Sequence, residues 1–442
     1  MSAIGRGAPD LSLGPGETAG LMMQGIPEEL VSGKRVLVLT PDATRSCPLP
    51  MMIRALHARV AGRAAACDYM VALGSHRIMT EAEILELYGI SAEQRKNEFA
   101  ASRFLNHRWD LPESFTRLGR ISEEEIAEIT GGLFREAVDV DINRAALDYD
   151  LILILGPVFP HEVVGFSGGN KYLFPGISGG EFLHFFHWLG AVITCIRTIG
   201  RKHTPVRRVV DRAAAMLPTP RHCIAMVVAP GNRLAGLYAG APEEAWSRAA
   251  DLSAQIHVRY TGRRYHTVLG RAPEMYDELW VAGKVMYKLE PVVADGGKLI
   301  IYAPHMKEIS STWGHYLERV GYHVRDYFLK RMNEFADIPR GVLAHSTHVR
   351  GLGSFEKGVE KPRIQVVLAT GIPEKLCRSI NLGYLDPKSI NLEDYRNREQ
   401  EGVLFVDHAG ETLYRERPDT GPDKGPDKGP DTGAAKNKEN TP

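Results

Sequence analysis

The sequence predicts an α/β protein of two α/β domains with mainly parallel sheets and an active-site cleft between them. Two observations support this prediction. Short apolar runs alternate with stretches of helical periodicity along most of the chain, which is the pattern of parallel sheets covered by helices. The length of 442 residues also exceeds one ordinary core, so two domains are expected, and two domains leave a cleft between them.

Three predicted strands of the N-terminal half each end in polar residues. The first strand covers residues 36–40 and leads into the loop PDATR, and a helix is predicted over residues 51–66. The second strand lies in YMVALGSHRIMT, residues 91–110 have an amphipathic helical pattern, and the third strand lies in YDLILILGPVF. Because open parallel sheets bind ligands at the carboxyl ends of their strands, we expect these loops to meet at one edge.

A second α/β pattern follows a helix predicted over residues 242–256 and a linker predicted over residues 259–267. It comprises a helix over residues 275–297, the strand KLIIYAP, a helix over residues 311–322 and the strand RIQVVLAT. We therefore expect an N-terminal cofactor-binding and catalytic domain over residues 1–263 and a smaller substrate-closing domain over residues 264–400. Residues 401–416 are expected to form a terminal hairpin that packs back on the N-terminal domain. Residues 417–442 repeat a PD[TK]G unit and predict a disordered tail.

The composition narrows the class of partner. Lys plus Arg and Asp plus Glu each number 54, so no net charge favours nucleic acid or an anionic membrane, and neither is expected. The N-terminal stretch lacks a signal-peptide pattern and no apolar run reaches the length of a membrane span, so we expect a cytoplasmic protein. Five cysteines without a CxxC pair argue against a disulfide framework and a thiolate zinc site.

Candidate functional side chains concentrate in the loops of the N-terminal half. The guanidinium of Arg45 suits a carboxylate through its two-pronged donor geometry. His76 and His161 come from different strands, and two bases on opposite faces of one carbon are what a racemase or epimerase requires. The full set of candidates is Asp42, Arg45, His76, Arg77, His107, His161, Lys171, His184 and His187.

Lys171 lies in the glycine-rich stretch GFSGGNKY. This stretch is not a Walker A loop, because the lysine follows Asn170 and Tyr172 stands where Ser or Thr would hold magnesium. A lysine that forms a covalent link to a cofactor is the better interpretation. From the residues alone, pyridoxal phosphate is one such cofactor.

Four motifs occur in a characteristic order: DATR, GSHRIMTEAE, NHRWD and PHEVVGFSGGNKYLFPGISG. With them, the chain resembles the nickel-dependent lactate racemase family from about residue 34 to residue 406. The resemblance implies a nickel-pincer nucleotide, pyridinium-3,5-bisthiocarboxylic acid mononucleotide with nickel, which cofactor-synthesising enzymes would supply. It also implies inversion of the hydroxyl-bearing C2 of a 2-hydroxy acid by hydride transfer coupled to proton loss.

The resemblance also implies roles for individual residues. His76 and His161 match the two acid/base histidines, and Lys171 matches the lysine that carries the cofactor through a thioamide link. His187 matches the nickel ligand, although its spacing from His184 puts both on one side of a helix. The remaining assignments are Arg45, Lys284 and Trp280 for the substrate, and Asp42, Gly168 and Gly169 for the cofactor together with Lys171 and His187.

One position departs from the family pattern. Val281 stands where the lactate enzymes have a glutamine, so a polar contact to the substrate is missing and a substrate other than lactate is expected. The neighbouring Trp280 offers a stacking wall or packs in the core. Two further hypotheses remain open: a non-catalytic protein that binds the nickel nucleotide, and a pyridoxal phosphate enzyme that uses Lys171.

Overall fold

The computed structural model describes residues 3–417, and the rest of the predicted tail lies outside the described residues. The strands of the N-terminal part are β1 (Ile4–Gly7), β2 (Arg35–Thr40), β3 (Ala66–Val71), β4 (Phe104–Asn106), β5 (Phe115–Ile121), β6 (Val138–Asn143), β7 (Leu151–Pro157), β8 (Pro160–His161), β9 (Gly165–Phe166), β10 (Arg221–Ala229), β11 (Arg233–Gly240) and β12 (Val258–Thr261). The helices of this part are α1 (Pro15–Gly25), α2 (Glu28–Val31), α3 (Leu49–Val60), α4 (Glu81–Tyr88), α5 (Ala92–Lys96), α6 (Glu123–Thr130), α7 (Gly180–Ile193), α8 (Cys195–Thr198), α9 (Pro205–Ala214) and α10 (Pro242–His257).

A seven-stranded sheet with the order β1-β11-β10-β7-β2-β3-β4 organises this part of the chain. The five strands from β10 to β4 are parallel, and β11 and β1 extend the sheet in antiparallel pairings. Along β2, Leu37 and Leu39 join the apolar core on one face, whereas Val36 and Val38 join the core on the other. Burial on both faces explains why the central strands are continuous apolar runs.

A second sheet of five parallel strands has the order β18-β17-β14-β13-β19. The strands of this part are β13 (Tyr265–Arg271), β14 (Val293–Ala303), β15 (Gly353–Glu356), β16 (Val359–Pro362), β17 (Gln365–Thr370), β18 (Gly383–Leu385), β19 (Val403–Val406) and β20 (Leu413–Glu416). Its helices are α11 (Leu279–Leu289), α12 (Gly314–Val320), α13 (Arg325–Leu329), α14 (Arg340–Arg350) and α15 (Glu374–Ser379). Two mainly parallel sheets confirm the predicted fold class.

Four predicted elements differ from the structure. The helix over residues 275–297 is limited to α11, because the chain enters β14 at Val293. The helix over residues 91–110 ends at Lys96, because the apolar segment that follows pairs with β3 as the edge strand β4. The linker over residues 259–267 is largely strand, since β12 ends within this range and β13 begins within it. The hairpin over residues 401–416 does not form: β19 pairs with β13 and β20 pairs with β12, both in parallel. Each error reflects a strand partner that is distant in sequence.

The length and apolar character of the helices can also be compared with those of a membrane span. Among residues 3–417, no helix combines the length and the apolar character needed to cross a membrane.

Candidate active site

The loops after β2, β3 and β7 open into one cleft against α11 and α14 of the C-terminal part. Because β7, β2 and β3 are parallel neighbours, their carboxyl ends lie side by side at one edge of the sheet. The cleft encloses about 1110 Å³, counting the part that is open to solvent. The candidate residues that line it are Asp42, Arg45, His76, His161, Gly168, Lys171, His187, Trp280, Val281 and Lys284.

Four other candidates do not line this cleft. Arg77 makes an exposed ion pair with a neighbouring carboxylate, and His107 is completely buried beneath the surface. His184 turns to the C-terminal part, where its Nδ1 accepts the backbone N–H of Gly341 at 3.4 Å. Gly169 packs against the side chain of a buried tryptophan, so it supports the lysine loop and does not face the cleft.

His76 forms a short hydrogen bond with a buried carboxylate. Its Nδ1 lies 2.5 Å from Oδ2 of Asp42, whose other oxygen accepts the hydroxyl of Thr44 at 2.7 Å. Burial alone would raise the pKa of Asp42, but the charge and the hydrogen bond of His76 outweigh it and hold that pKa below its usual range. The contacts of Asp42 in the structure are therefore with His76 and its own loop, and Nε2 of His76 is left for a ligand.

The environment of His161 is different. Its Nδ1 accepts the backbone N–H of Val163 at 3.2 Å, and Oε2 of Glu162 lies 3.3 Å from the same nitrogen. Burial, with the charges of Lys171 and Arg45, holds the pKa of His161 well below its usual range. The surroundings of His161 therefore favour its neutral form, whereas His76 is paired with the carboxylate of Asp42.

A buried guanidinium holds the glycine-rich loop in front of Lys171. Arg207 donates to the carbonyl oxygens of Gly168 at 3.3 Å and Phe166 at 2.5 Å, and it stacks 4.0 Å from the ring centroid of Trp246. Gly168 has a φ of 85°, and a Cβ there would lie 2.7 Å from a valine methyl group. Only glycine fits this turn without strain.

The loop presents Lys171 to the cleft from a short 3₁₀ turn, Gly169–Tyr172. Burial, together with the charge of Arg45, lowers the pKa of Lys171 to about 7. A large fraction of the amine is then unprotonated at neutral pH, which is the form that attacks a carbonyl or thiocarbonyl carbon. The loop therefore offers a nucleophilic lysine.

His187, on α7, has one ring nitrogen in a hydrogen bond and the other free for a ligand. Its Nδ1–H donates to the carbonyl of Leu183 at 2.7 Å, which leaves the lone pair of Nε2 free. Burial lowers the pKa of His187 to about 3, so the ring is neutral. Within residues 3–417, no three His, Cys, Asp or Glu side chains are close enough to hold a metal ion among themselves. A metal at His187 would need most of its donors from a bound organic ligand.

Helix α11 closes the cleft from the C-terminal part. The amine of Lys284 donates to the backbone carbonyl of Thr44 at 3.1 Å, in the loop that carries Arg45. Burial and the charge of Arg45 hold the pKa of Lys284 well below its usual range. Trp280 stacks on the imidazole of His345 with 4.2 Å between ring centroids, and Val281 is buried beside it.

The cleft also contains residues that the sequence reasoning missed, namely Glu162, Tyr287, His345 and His348. Glu162 stands next to His161 in the sequence, and that adjacency was an available signal. His345 and His348 come from α14, which carries no recognisable motif, so only the packing of α14 against α7 brings them to the cleft.

Sequence comparisons show which known proteins this chain is similar to. The lactate racemase N-terminal domain matches residues 22–196. A lactate racemase from Thermoanaerobacterium thermosaccharolyticum is 23% identical over 283 residues, which are 62% of this chain and 61% of that protein. The chain thus aligns with about three fifths of that relative's length.

Two solved structures extend the similarity to nearly the whole chain. The crystal structure of a protein from Thermotoga maritima has a TM-score of 0.84 and 32% identity, covering 92% of this chain and 100% of the other. The lactate racemase apoprotein from Thermoanaerobacterium thermosaccharolyticum has a TM-score of 0.67 and 17% identity, covering 90% and 93%. The second similarity concerns the fold alone.

Proposed function

The chain belongs to the lactate racemase family, and on that premise we propose that it is a racemase or epimerase that inverts C2 of a 2-hydroxy acid. One observation carries the proposal. His76 and His161 arrive from different strands and line one cleft together with Arg45 and Lys284. The guanidinium of Arg45 and the amine of Lys284 are suitable donors to a carboxylate, and two histidines are suitable for exchanging a hydroxyl proton on either side of the substrate.

The residues of the cleft fit the nickel-pincer nucleotide of this family. Lys171, with a pKa lowered to about 7, would hold it through a thioamide link, and His187 would coordinate nickel through Nε2. One histidine is sufficient when the cofactor itself supplies two sulfurs and a carbon, and nickel accepts such soft donors with imidazole. When bound, this cofactor supplies a hydride acceptor, which the amino-acid side chains do not provide.

The side chains then have the following tasks. Arg45 and Lys284 bind the substrate carboxylate and so fix C2 between the two histidines. Nε2 of His76 takes the hydroxyl proton in one direction, and Asp42 stabilises the imidazolium that forms. His161 exchanges the proton on the other side. The bond between Lys284 and the backbone of Thr44 keeps the two parts closed and excludes water.

The substrate is a 2-hydroxy acid other than lactate, with a longer or bulkier substituent. Val281 lines the cleft but cannot donate the hydrogen bond of the family's glutamine. A buried polar group left unpaired costs about 1–3 kcal/mol, or roughly 5- to 150-fold in binding. Trp280 and its stacked partner His345 instead form an aromatic wall for a larger group.

The test uses protein co-expressed with enzymes that synthesise the cofactor. We expect nickel in the purified protein, a covalent mass increase that is absent from Lys171→Ala, and inversion of at least one acid in a panel of aliphatic, aryl and sugar 2-hydroxy acids. A substrate deuterated at C2 should keep its label in the inverted product, because the hydride returns to the same carbon.

Other results would reject parts of this proposal. Loss of the deuterium to water would indicate proton abstraction at C2. A nickel-loaded protein that inverts no acid would favour the non-catalytic binding protein. A yellow chromophore on Lys171 without nickel would favour pyridoxal phosphate, and lactate as the best substrate by a wide margin would contradict the argument from Val281.

A further inference from the structure

Both acid/base histidines contact a carboxylate, but in different ways. Nδ1 of His76 is hydrogen-bonded to the carboxylate of Asp42 at 2.5 Å. Nδ1 of His161 instead accepts a hydrogen bond from the backbone N–H of Val163, and the carboxylate of Glu162 lies 3.3 Å from the same nitrogen. The second arrangement has a consequence for the tautomer of His161.

An imidazole nitrogen that accepts a hydrogen bond carries no proton. The bond from Val163 therefore places the proton of neutral His161 on Nε2, where the ring can donate but cannot act as a base. To accept a proton through Nε2, the ring must move its own proton to Nδ1. That N–H would then face the N–H of Val163, and the carboxylate of Glu162 is the acceptor within reach.

Glu162 is suited to this task. Its side chain is largely buried and lines the cleft, and its backbone carbonyl accepts the hydroxyl of Thr198, which fixes the residue in place. Burial by itself would raise the pKa of Glu162, but the charges of Lys288, His348 and Arg45, with a backbone hydrogen bond, together outweigh it and lower that pKa. These interactions favour the ionised carboxylate, which is the form that accepts a hydrogen bond.

We propose that Glu162 is the positioning residue that allows His161 to serve as a base as well as an acid. It accepts Nδ1–H whenever His161 carries a proton there, in the base tautomer and in the imidazolium. The part of this inference that concerns turnover rests on the proposed function. The pairing of Glu162 with His161 is independent of that function.

The other charged and titratable groups around His161 do not supply this acceptor. They are Lys171 on the glycine-rich loop, Arg45 after β2, Lys288 on α11 and His187 on α7, and each of them disfavours a positive charge on His161. Removing the charge of Glu162 would leave His161 among cations and neutral rings. We expect its proton affinity to fall accordingly.

The experiment is ¹⁵N NMR of the histidine side chains in the apoprotein, with His161 assigned through His161→Gln. In the wild type we expect the Nε2–H tautomer for the neutral ring. In Glu162→Gln the protonation constant of His161 should fall about 10-fold, because an ionised acceptor is lost. Glu360→Gln is the matched control: Glu360 lies 2.9 Å from Nδ1 of His323, away from the cleft, and its loss should leave His161 unchanged.

An unchanged protonation constant in Glu162→Gln would overturn the proposal. If that variant does not fold, Glu162→Asp replaces it: the shorter side chain loses the contact, and a constant equal to that of the wild type would again overturn the pairing.

In the loaded enzyme, Glu162→Gln should lower kcat/KM for inversion about 10- to 100-fold, a part of what a positioned base contributes. Its pH profile should move to lower pH, whereas the profile of Glu360→Gln should not. If the NMR result holds but no loaded protein inverts any hydroxy acid, the pairing stands and the proposed function fails.

Discussion

The amine of Lys171 should react near neutral pH in the protein before any cofactor is attached. With its pKa lowered to about 7, about half of the amine is unprotonated at pH 7. A lysine of ordinary pKa, about 10.4, is unprotonated in about 1 molecule in 2500 at that pH. A less basic amine is also a weaker nucleophile, and a dependence like that of thiols, with a slope of about 0.4–0.5, removes much of this advantage. A net advantage of about 25- to 50-fold remains.

The assay is acetylation of the apoprotein by acetic anhydride across pH 6–11, followed by peptide mass spectrometry. The midpoint of the rate profile for the Lys171 peptide should lie near pH 7. This midpoint is informative even if the cleft slows the reagent, because limited access lowers the rate at every pH alike. Exposed lysines elsewhere in the same digest serve as the internal reference.

Arg45→Met supplies the perturbation. The charge of Arg45 is, after burial, the main influence that lowers the pKa of Lys171. Removing a like charge favours the protonated amine, so the midpoint should rise by about one pH unit and the rate at pH 7 should fall several-fold. A midpoint above about pH 9 in the wild type would refute the argument that Lys171 is a preformed nucleophile, as would a midpoint that falls in Arg45→Met.

Three further predictions concern single substitutions. His187→Ala should lose nickel from the loaded protein and His184→Ala should retain it, because only His187 lines the cleft, and metal analysis showing the reverse would exchange their roles. Val281→Gln should raise kcat/KM for lactate by roughly 5- to 150-fold in a stereospecific lactate assay, and no gain would remove Val281 from substrate selection. Arg207→Met leaves two loop carbonyls without their donor, so urea unfolding should show a stability loss of about 2–6 kcal/mol. An unchanged unfolding midpoint would mean that the glycine-rich loop does not depend on Arg207 for its stability.

The position of the candidate site could be predicted from the sequence, because it depends on residues that are neighbours along the chain. A strand and the polar residues that follow it are contiguous in sequence. Each apolar run therefore identifies the loop that follows it, and these loops carry Arg45, His76 and His161. Parallel topology then requires those loops to share one edge of the sheet. The resemblance to a known family rests on the same contiguous stretches.

The partners of these residues could not be predicted in that way. Asp42 pairs with His76 across 34 positions of sequence, and β12 pairs with β20 across about 150. His184 and His187 project from the same side of α7, and the packing of α14 decides which of them turns toward the cleft. Even the contact between neighbours His161 and Glu162 depends on the direction of their side chains in the folded loop. The order of residues along the chain decides which groups stand at the ends of the strands, because that order is local. The charge, tautomer and ligand of each group depend instead on contacts that form when the chain folds.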